Sequence, residues 1–382
     1  MKKLLFCLLW LVTGAHARSL LVISIDGLDH RYLRDADRIG AKIPSLRRLI
    51  AEGAWADGVV GVMPSVTFPS HTTMVTGVGP QEHGIVDNSD GKEARYWFTS
   101  QIKVPVLWDA ARAAGLKVGA VDWPVTVGGK IDYNFPEKFS GGNAGRMEMA
   151  AHEEVSTPGL IDKITAQYPS FPRAIVDDRA RTQAVLYMLK NEKVDLLFVH
   201  LADHDADAHS YGPYTKRALA TLELADECVG MMMRALPQDG AIALVSDHGF
   251  ERIDRLVDPK AYSTGEMTVT STMVTTKDAA VAAALRGKNG IGREISQVDL
   301  KTHAPHLAGL FAFEPQDHVN FGSGKLASPR GAHGFWPLRP DYRSVYALWG
   351  AGIKKERLPQ IEMTSIAGRL AAVLGLKFPH KP

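Results

Sequence analysis

Short apolar runs alternate along this chain with stretches of helical periodicity, and Gly, Pro or Asp punctuates the boundaries. Residues 20–25, 117–121, 195–201, 241–245 and 344–349 read as buried strands, because an apolar run without polar alternation fits a strand covered on both faces. Residues 44–52, 106–114, 178–192, 214–236 and 361–374 carry apolar positions at helical spacing. The first of these opens on Pro44 and stops at Gly53, and the second is closed by Gly115. Strands alternating with helices predict an α/β fold, a central mostly parallel sheet with helices on both faces. Residues 251–330 break the pattern: 267–275 is β-rich, 278–285 is a capped helix and 307–313 is strand-like. They predict a small α/β insertion, a cap, in a main domain formed by residues 18–250 and 331–382. Gly128-Gly129, Gly141-Gly142 and Gly322-x-Gly324 mark loops, since none follows a strand and opens a helix as a phosphate-cradling fingerprint requires.

The first residues change the picture of where the protein works. Lys2-Lys3, an apolar stretch over 4–12 and Ala15-His16-Ala17 have the three parts of a secretory signal peptide, with cleavage expected after Ala17. That stretch is too short to cross a bilayer, and no later segment supplies the ~20 apolar residues of a span, so no transmembrane anchor is expected. Losing Lys2 and Lys3 takes the formal charge from +2 to about zero. That argues against a nucleic-acid groove or an anionic membrane as partner. Cys7 leaves with the leader, so Cys228 has no intramolecular partner and reads as a buried helix thiol. Export without disulfides points to a bacterial periplasm.

Metal-binding residue types stand at the ends of the apolar runs. Asp26 follows 20–25, Asp205 and His209 follow 195–201, Asp247-His248 follow 241–245, and His333 follows a Gly-rich loop. In an open α/β sheet such positions share one edge of the molecule. Asp205 and His209, four apart, face one side of a helical turn. Asp203, His204 and Asp207 are rivals that the spacing disfavours, and Asp203 and Asp207 read as solvated or supporting groups. Imidazole nitrogen mixed with carboxylate oxygen suits zinc best, with manganese or iron also acceptable. A nucleophile is placed at Thr67, in Ser65-Val66-Thr67-Phe68-Pro69, where a helix running to Gly77 would begin. A helix N-terminus favours an anion, and a metal would stabilise a threonine alkoxide; the alternative is an ordinary threonine cap.

Taken in order, these segments resemble the alkaline phosphatase superfamily and, within it, the nucleotide pyrophosphatase/phosphodiesterase family. The matching segments are Ile25-Asp26-Gly27, Thr67-Phe68-Pro69, His83-Gly84-Ile85-Val86-Asp87-Asn88, Asp205 through Pro213, Ser246-Asp247-His248-Gly249 and His333-Gly334. The resemblance implies an alkaline-phosphatase-like fold and two Zn²⁺ per chain, one held by Asp205, His209 and His333, the other by Asp26, Thr67, Asp247 and His248. It implies in-line attack by Thr67, a phospho-threonine intermediate that water then hydrolyses, and an Asn88 amide that donates to a phosphoryl oxygen. The implied substrates are small phosphodiesters or nucleotides.

No Arg or Lys lies between Ser65 and Gly77, which favours diesters over the more highly charged monoesters, although Lys103 or Lys138 folded inward would weaken that reading. Thr67 cannot become the formylglycine of a sulfatase, and His71 stands where a sulfatase has Arg. One departure concerns the leaving group. Five residues before Asp205, where the family usually has a tyrosine able to stack a nucleobase against the aromatic beside the nucleophile, this chain has His200 opposite Phe68. A phosphomonoesterase or a phospholipid-headgroup hydrolase on the same fold is therefore the alternative enzyme. A metal-binding protein without catalysis is a third reading, which the complete ligand set opposes. Trp108 and Trp123 read as core or pocket wall, and Asp317-His318 as a surface or structural pair.

Overall fold

The computed structural model describes residues 19–91, 95–139, 147–172 and 174–379. The leader read at 1–17 and the Gly141-Gly142 loop lie outside them. Eight strands form the central sheet: β1 (Ser19–Ile25), β2 (Ala54–Ala56), β3 (Val118–Val121), β4 (Tyr133–Phe135), β5 (Leu196–Leu201), β6 (Gly240–Val245), β7 (Tyr346–Gly350) and β8 (Glu356–Leu358). Their spatial order is β8-β2-β7-β6-β1-β5-β3-β4. β1, β5, β6, β3 and β4 run parallel, β8 is parallel to β2, and β7 is antiparallel to both its neighbours.

The two sheet faces explain why the central strands are apolar throughout. Leu21, Ile23 and Ile25 pack with Leu197, Val199 and Leu201 in one core, while Leu20 and Val22 pack with Leu196 and Phe198 in the other. Burying side chains of this size contributes about 1.5–3 kcal/mol each, so a polar residue is tolerated only where a strand ends. Parallel register then aligns those ends: Ser24 stands opposite His200 and Val245, and Asp26 N–H donates to the Leu201 carbonyl.

Differences from the periodicity are local. Residues 178–192 split into a helix α1 (Asp178–Tyr187) and a π-helical turn (Met188–Glu192). Residues 361–374 begin as a strand (Ile361–Glu362), pass through a short 3₁₀ turn and become helical only at Ile366. Ile361 pairs with Val59 and is thus held in extended form by a partner far away in sequence. Cys228 is buried in α2 (Lys216–Ala235). Trp108 and Trp123 are fully buried core residues.

Between β6 and β7, Glu251–Ile253 pairs with Arg330–Ala332, so both ends of the 251–330 segment meet in one ladder. The segment carries its own antiparallel sheet of Thr268–Val269, Val274–Thr276, Phe311–Pro315 and Ile291–Glu294, with a helix over Ala279–Leu285 capped by Asp278. Strand structure starts at Phe311 where the sequence suggested 307, because 305–307 form a 3₁₀ turn. No helix among the described residues is long and apolar enough to cross a membrane.

Candidate functional site

The C-terminal ends of β1, β5 and β6 place Asp26, Asp205 and Asp247-His248 side by side. Asp26, Asp247 and His248 form one group whose ligand atoms lie within 4.8 Å of one another, and Asp205, His248 and His333 form a second. His209 completes the neighbourhood, with Nε2 3.4 Å from Asp205 Oδ2. His333 Nε2 lies 3.9 Å from Asp205 Oδ1. Gly27, at φ +66°, makes the turn out of β1; a side chain there would press on Phe250 and on Asp205 Oδ1. Its N–H donates to Asp247 Oδ1.

Each imidazole is anchored in the same way. His209 Nδ1–H donates to the Gly331 carbonyl, His248 Nδ1–H to Gly249, and His333 Nδ1–H to Ser65. A carbonyl can only accept, so all three rings carry a proton on Nδ1 and turn Nε2 toward the site, where a metal would replace any proton that His248 Nε2 carries between Asp26 and Asp247. The carboxylates divide their oxygens likewise. Asp247 Oδ1 accepts from Gly27 and His248 N–H groups, and Asp26 Oδ2 from His200. Asp26 Oδ1, Asp205 Oδ1, Asp247 Oδ2 and His248 Nε2 are buried and make no hydrogen bond. Stranding four such atoms together is costly without a partner, and oxygen and imidazole nitrogen are the donors a divalent cation takes. The residues fit a bound metal, and the second partners of the ligands are those that orient metal ligands elsewhere.

The charges are mutually adjusted. Burial raises Asp205 to about 7, helped by the Asp26 charge and opposed by His209. Burial pulls His248 down, but Asp247 and Asp26 outweigh it and hold it well above an ordinary histidine. Burial and the neighbouring His248 and His209 keep His333 well below the ordinary value. Burial raises Asp247, and His248 reverses this so that it stays well below the carboxylate range.

Thr67 is the first residue of a ten-residue helix ending at Thr76, with Val66 in the cap position, so it does not serve as the cap itself. One turn on, His71 Nδ1–H donates to the Thr67 carbonyl, Nε2 accepts from Ser24, and the ring lies 3.8 Å from Asp247 Oδ2. Full burial holds His71 down at about 3, so it stays neutral. Two residues before Thr67, the Ser65 carbonyl receives His333. Thr67 is thereby tied to both ligand groups through immediate neighbours. Asn88 Oδ1 accepts from the Phe68 N–H at 2.8 Å, and the Asn88 Nδ2 donors make no hydrogen bond among the described residues.

Two side chains expected at the substrate wall are buried. Phe68 is 1% exposed, packed with Ile85 and Val125 and edge-on to Trp97, so its ring offers no open face for a base. His200 is also 1% exposed, with both nitrogens engaged by Asp26 and Glu137. The rivals of Asp205 are committed elsewhere. Asp203 accepts from Arg181, Asp207 pairs with Arg217, and His204 is buried against Tyr32 with Nδ1–H on Ala218. Asp317 pairs with Arg339 at the surface, and His318 bonds the Arg252 carbonyl. Lys138 pairs with Glu154.

Residues not singled out by sequence also belong here. Arg95, which pairs in a short bridge with Ser89, holds its guanidinium 5.9 Å from the Phe68 ring and 4.7 Å from Phe139, with no ion pair among the described residues. Beneath the site Arg181 joins Asp122, Asp178 and Asp203, and Asp122 also accepts from His152. His71 had a signal in its i+4 spacing from Thr67; Glu137 and Arg95 had none.

Residues 20–332 match the family described as type I phosphodiesterase/nucleotide pyrophosphatase. The human ectonucleotide pyrophosphatase/phosphodiesterase family member 1 is 28% identical over 250 residues, 61% of this chain and 23% of its own length. Venom phosphodiesterase 2 of Crotalus adamanteus is 26% identical over 64% of this chain and 28% of its own. This chain thus spans about a quarter of these relatives. Human bis(5'-adenosyl)-triphosphatase is 25% identical over 99% of this chain and 84% of its own. Among solved structures, murine ectonucleotide pyrophosphatase/phosphodiesterase 5 superposes with a TM-score of 0.69 at 17% identity, covering 95% of this chain and 97% of that one. An inactive variant of that mouse protein in complex with AMP superposes equally well, at 18% identity.

Proposed function

The chain belongs to the type I phosphodiesterase/nucleotide pyrophosphatase family, and from that premise we propose that it is an exported phosphodiesterase or nucleotide pyrophosphatase working with two zinc ions. The observation that supports this reading is the uniform anchoring of His209, His248 and His333 by Nδ1, which turns three Nε2 atoms toward the free oxygens of Asp26, Asp205 and Asp247. Asp205, His209 and His333 would hold one ion, and Asp26, Asp247 and His248 with Thr67 the other. When bound, the ions supply Lewis-acid stabilisation of charge on the attacking and departing oxygens.

The chain's own residues do the rest. Thr67 Oγ1 attacks phosphorus in line with the leaving oxygen, forming a Thr67–O–P bond as the P–O bond to the leaving group breaks. Water then attacks the phospho-threonine, releasing the phosphoryl product and restoring the hydroxyl. His71 holds the first helical turn through the Thr67 carbonyl, so the backbone that carries the hydroxyl is fixed before substrate arrives. Asn88, pinned by the Phe68 N–H, keeps its amide donors for a non-bridging phosphoryl oxygen. Residues 251–330 would form a cap on the domain of 18–250 and 331–382, in keeping with their own sheet and the paired strands at their base. The leader over 1–17 supports export, to a periplasm in a bacterial cell.

One observation favours a second reading. Arg95 is a cation beside the ring of Phe68, the residue after Thr67, suited to the extra charge of a monoester or to an anionic group on the retained side of a diester, and unsuited to a choline headgroup. Turnover of bis-p-nitrophenyl phosphate and p-nitrophenyl phosphate by the zinc-loaded protein separates the two. The diesterase reading expects the diester to be faster, and equal or faster turnover of the monoester overturns it.

A further inference from the structure

His200 occupies a position that neither substrate contact nor metal ligation explains. It sits on β5 opposite Ser24, so its ring lies on the same sheet face as Ser24 and Asp26. Its Nε2–H donates to Asp26 Oδ2 at 3.0 Å and its Nδ1–H to Glu137 Oε2 at 3.1 Å. Glu137 follows β4, two strands away from β5 across the sheet, and is itself 3% exposed. The His71 ring covers the imidazole at a centroid distance of 4.4 Å.

We propose that His200, braced by Glu137, is a positioning residue for Asp26 that sets the affinity of the metal position to which Asp26 belongs. The inference rests on the two-metal reading above. A carboxylate free to rotate can offer either oxygen, or both, to a cation. With Oδ2 tied to His200, only Oδ1 remains, and that atom sits 3.2 Å from His248 Nε2 with no hydrogen bond of its own. Glu137 completes the restraint: by taking Nδ1–H it fixes the ring orientation and stops the imidazole from swinging in as a ligand. Bringing two carboxylates and a histidine out of water at one point is expensive if the only gain is packing, since an apolar residue fills a core at no electrostatic cost. A load on one particular oxygen explains the arrangement, and loss of such supporting hydrogen bonds typically weakens metal affinity 10–100-fold.

The test is sequential Zn²⁺ binding by the full mature chain, followed by competition with a chromophoric chelator, for wild type, His200→Phe, His200→Gln and Glu137→Ala. The wild type should bind two ions. In His200→Phe one ion should keep its wild-type affinity and the other should bind roughly 10–100-fold more weakly, with diester turnover lost at limiting zinc and regained at saturating zinc. His200→Gln, which still has an amide N–H for Asp26, should recover part of the loss, and Glu137→Ala should show a smaller loss at the same position. Unchanged affinity for both ions, or equal weakening of both, overturns the proposal. Should His200→Phe not fold, His200→Gln and Glu137→Ala decide, and wild-type affinity at both positions in both variants refutes it. A wild type that binds fewer than two ions defeats the metal reading itself, an outcome distinct from the others because it appears before any substitution.

Discussion

The rings of His248 and His333 stack face to face, with centroids 3.6 Å apart and planes within 7°. Two cationic imidazoles cannot occupy such a stack, and the Asp247 and Asp26 carboxylates favour charge on His248 while His333 stays neutral. His248 also belongs to both ligand groups.

That shared membership makes His248 and His209 unequal. His248→Ala should release the ion held with Asp26 and Asp247 and loosen the other, which lies beside it, whereas His209→Ala should release only the ion held with Asp205 and His333. Elemental analysis of the dialysed variants reads this directly, and full retention of zinc in either variant would contradict the assignment.

Thr67→Ala should lower diester turnover on the order of 10³-fold or more, as removal of a covalent nucleophile does. The ligand carboxylates and imidazoles stay anchored by other residues, so bound zinc should remain at or near one ion per group. Trapping of ³²P on the wild-type chain but not on the variant, after acid quench, checks the covalent step.

Zinc affinity should depend on pH through Asp205. Its carboxyl, raised to about 7 in the metal-free protein, must lose a proton before it can bind. Affinity should therefore fall about tenfold or more per unit below pH 7, and it should still be rising above that pH, because His248, also raised, must give up a proton as well. The same shift has a stability consequence. A carboxyl whose folded pKa is raised contributes stability to the metal-free protein at low pH, and that contribution is lost as pH rises through about 7. Calorimetric titrations of zinc from pH 5.5 to 8.5 test the first part.

Arg181→Met should leave the buried Asp122 and Asp178 and the half-buried Asp203 without the guanidinium they share. Breaking a buried pair on one side typically costs about 3–5 kcal/mol, so urea midpoints should fall sharply. Asp203→Asn should keep its zinc, since Asp203 accepts from Arg181 and from the Asp178 N–H and takes no part in the ligand groups.

Much of the site was legible because of one geometric rule. Residues just beyond apolar runs gather on one edge of a parallel sheet, so Asp26, Asp205, Asp247 and His248 could be grouped before any contact was known. The burial of Phe68 and His200 was not legible, because an aromatic or imidazole next to a motif carries no mark of which way it faces. Arg95 escaped notice because its approach to Phe68 depends on a loop pairing with Ser89 that no periodicity encodes.

The succession of strands and helices along the chain, the apolar runs and the residue types at strand ends are local properties, and periodicity and turn chemistry mark them within the sequence. Which oxygen or nitrogen each side chain keeps free is different. It follows from hydrogen bonds to carbonyls, amides and a histidine that are distant along the chain, as Gly27 is from Asp247, Ser65 from His333 and Glu137 from His200. Hydrogen bonds are short and directional, so only the folded arrangement could decide them.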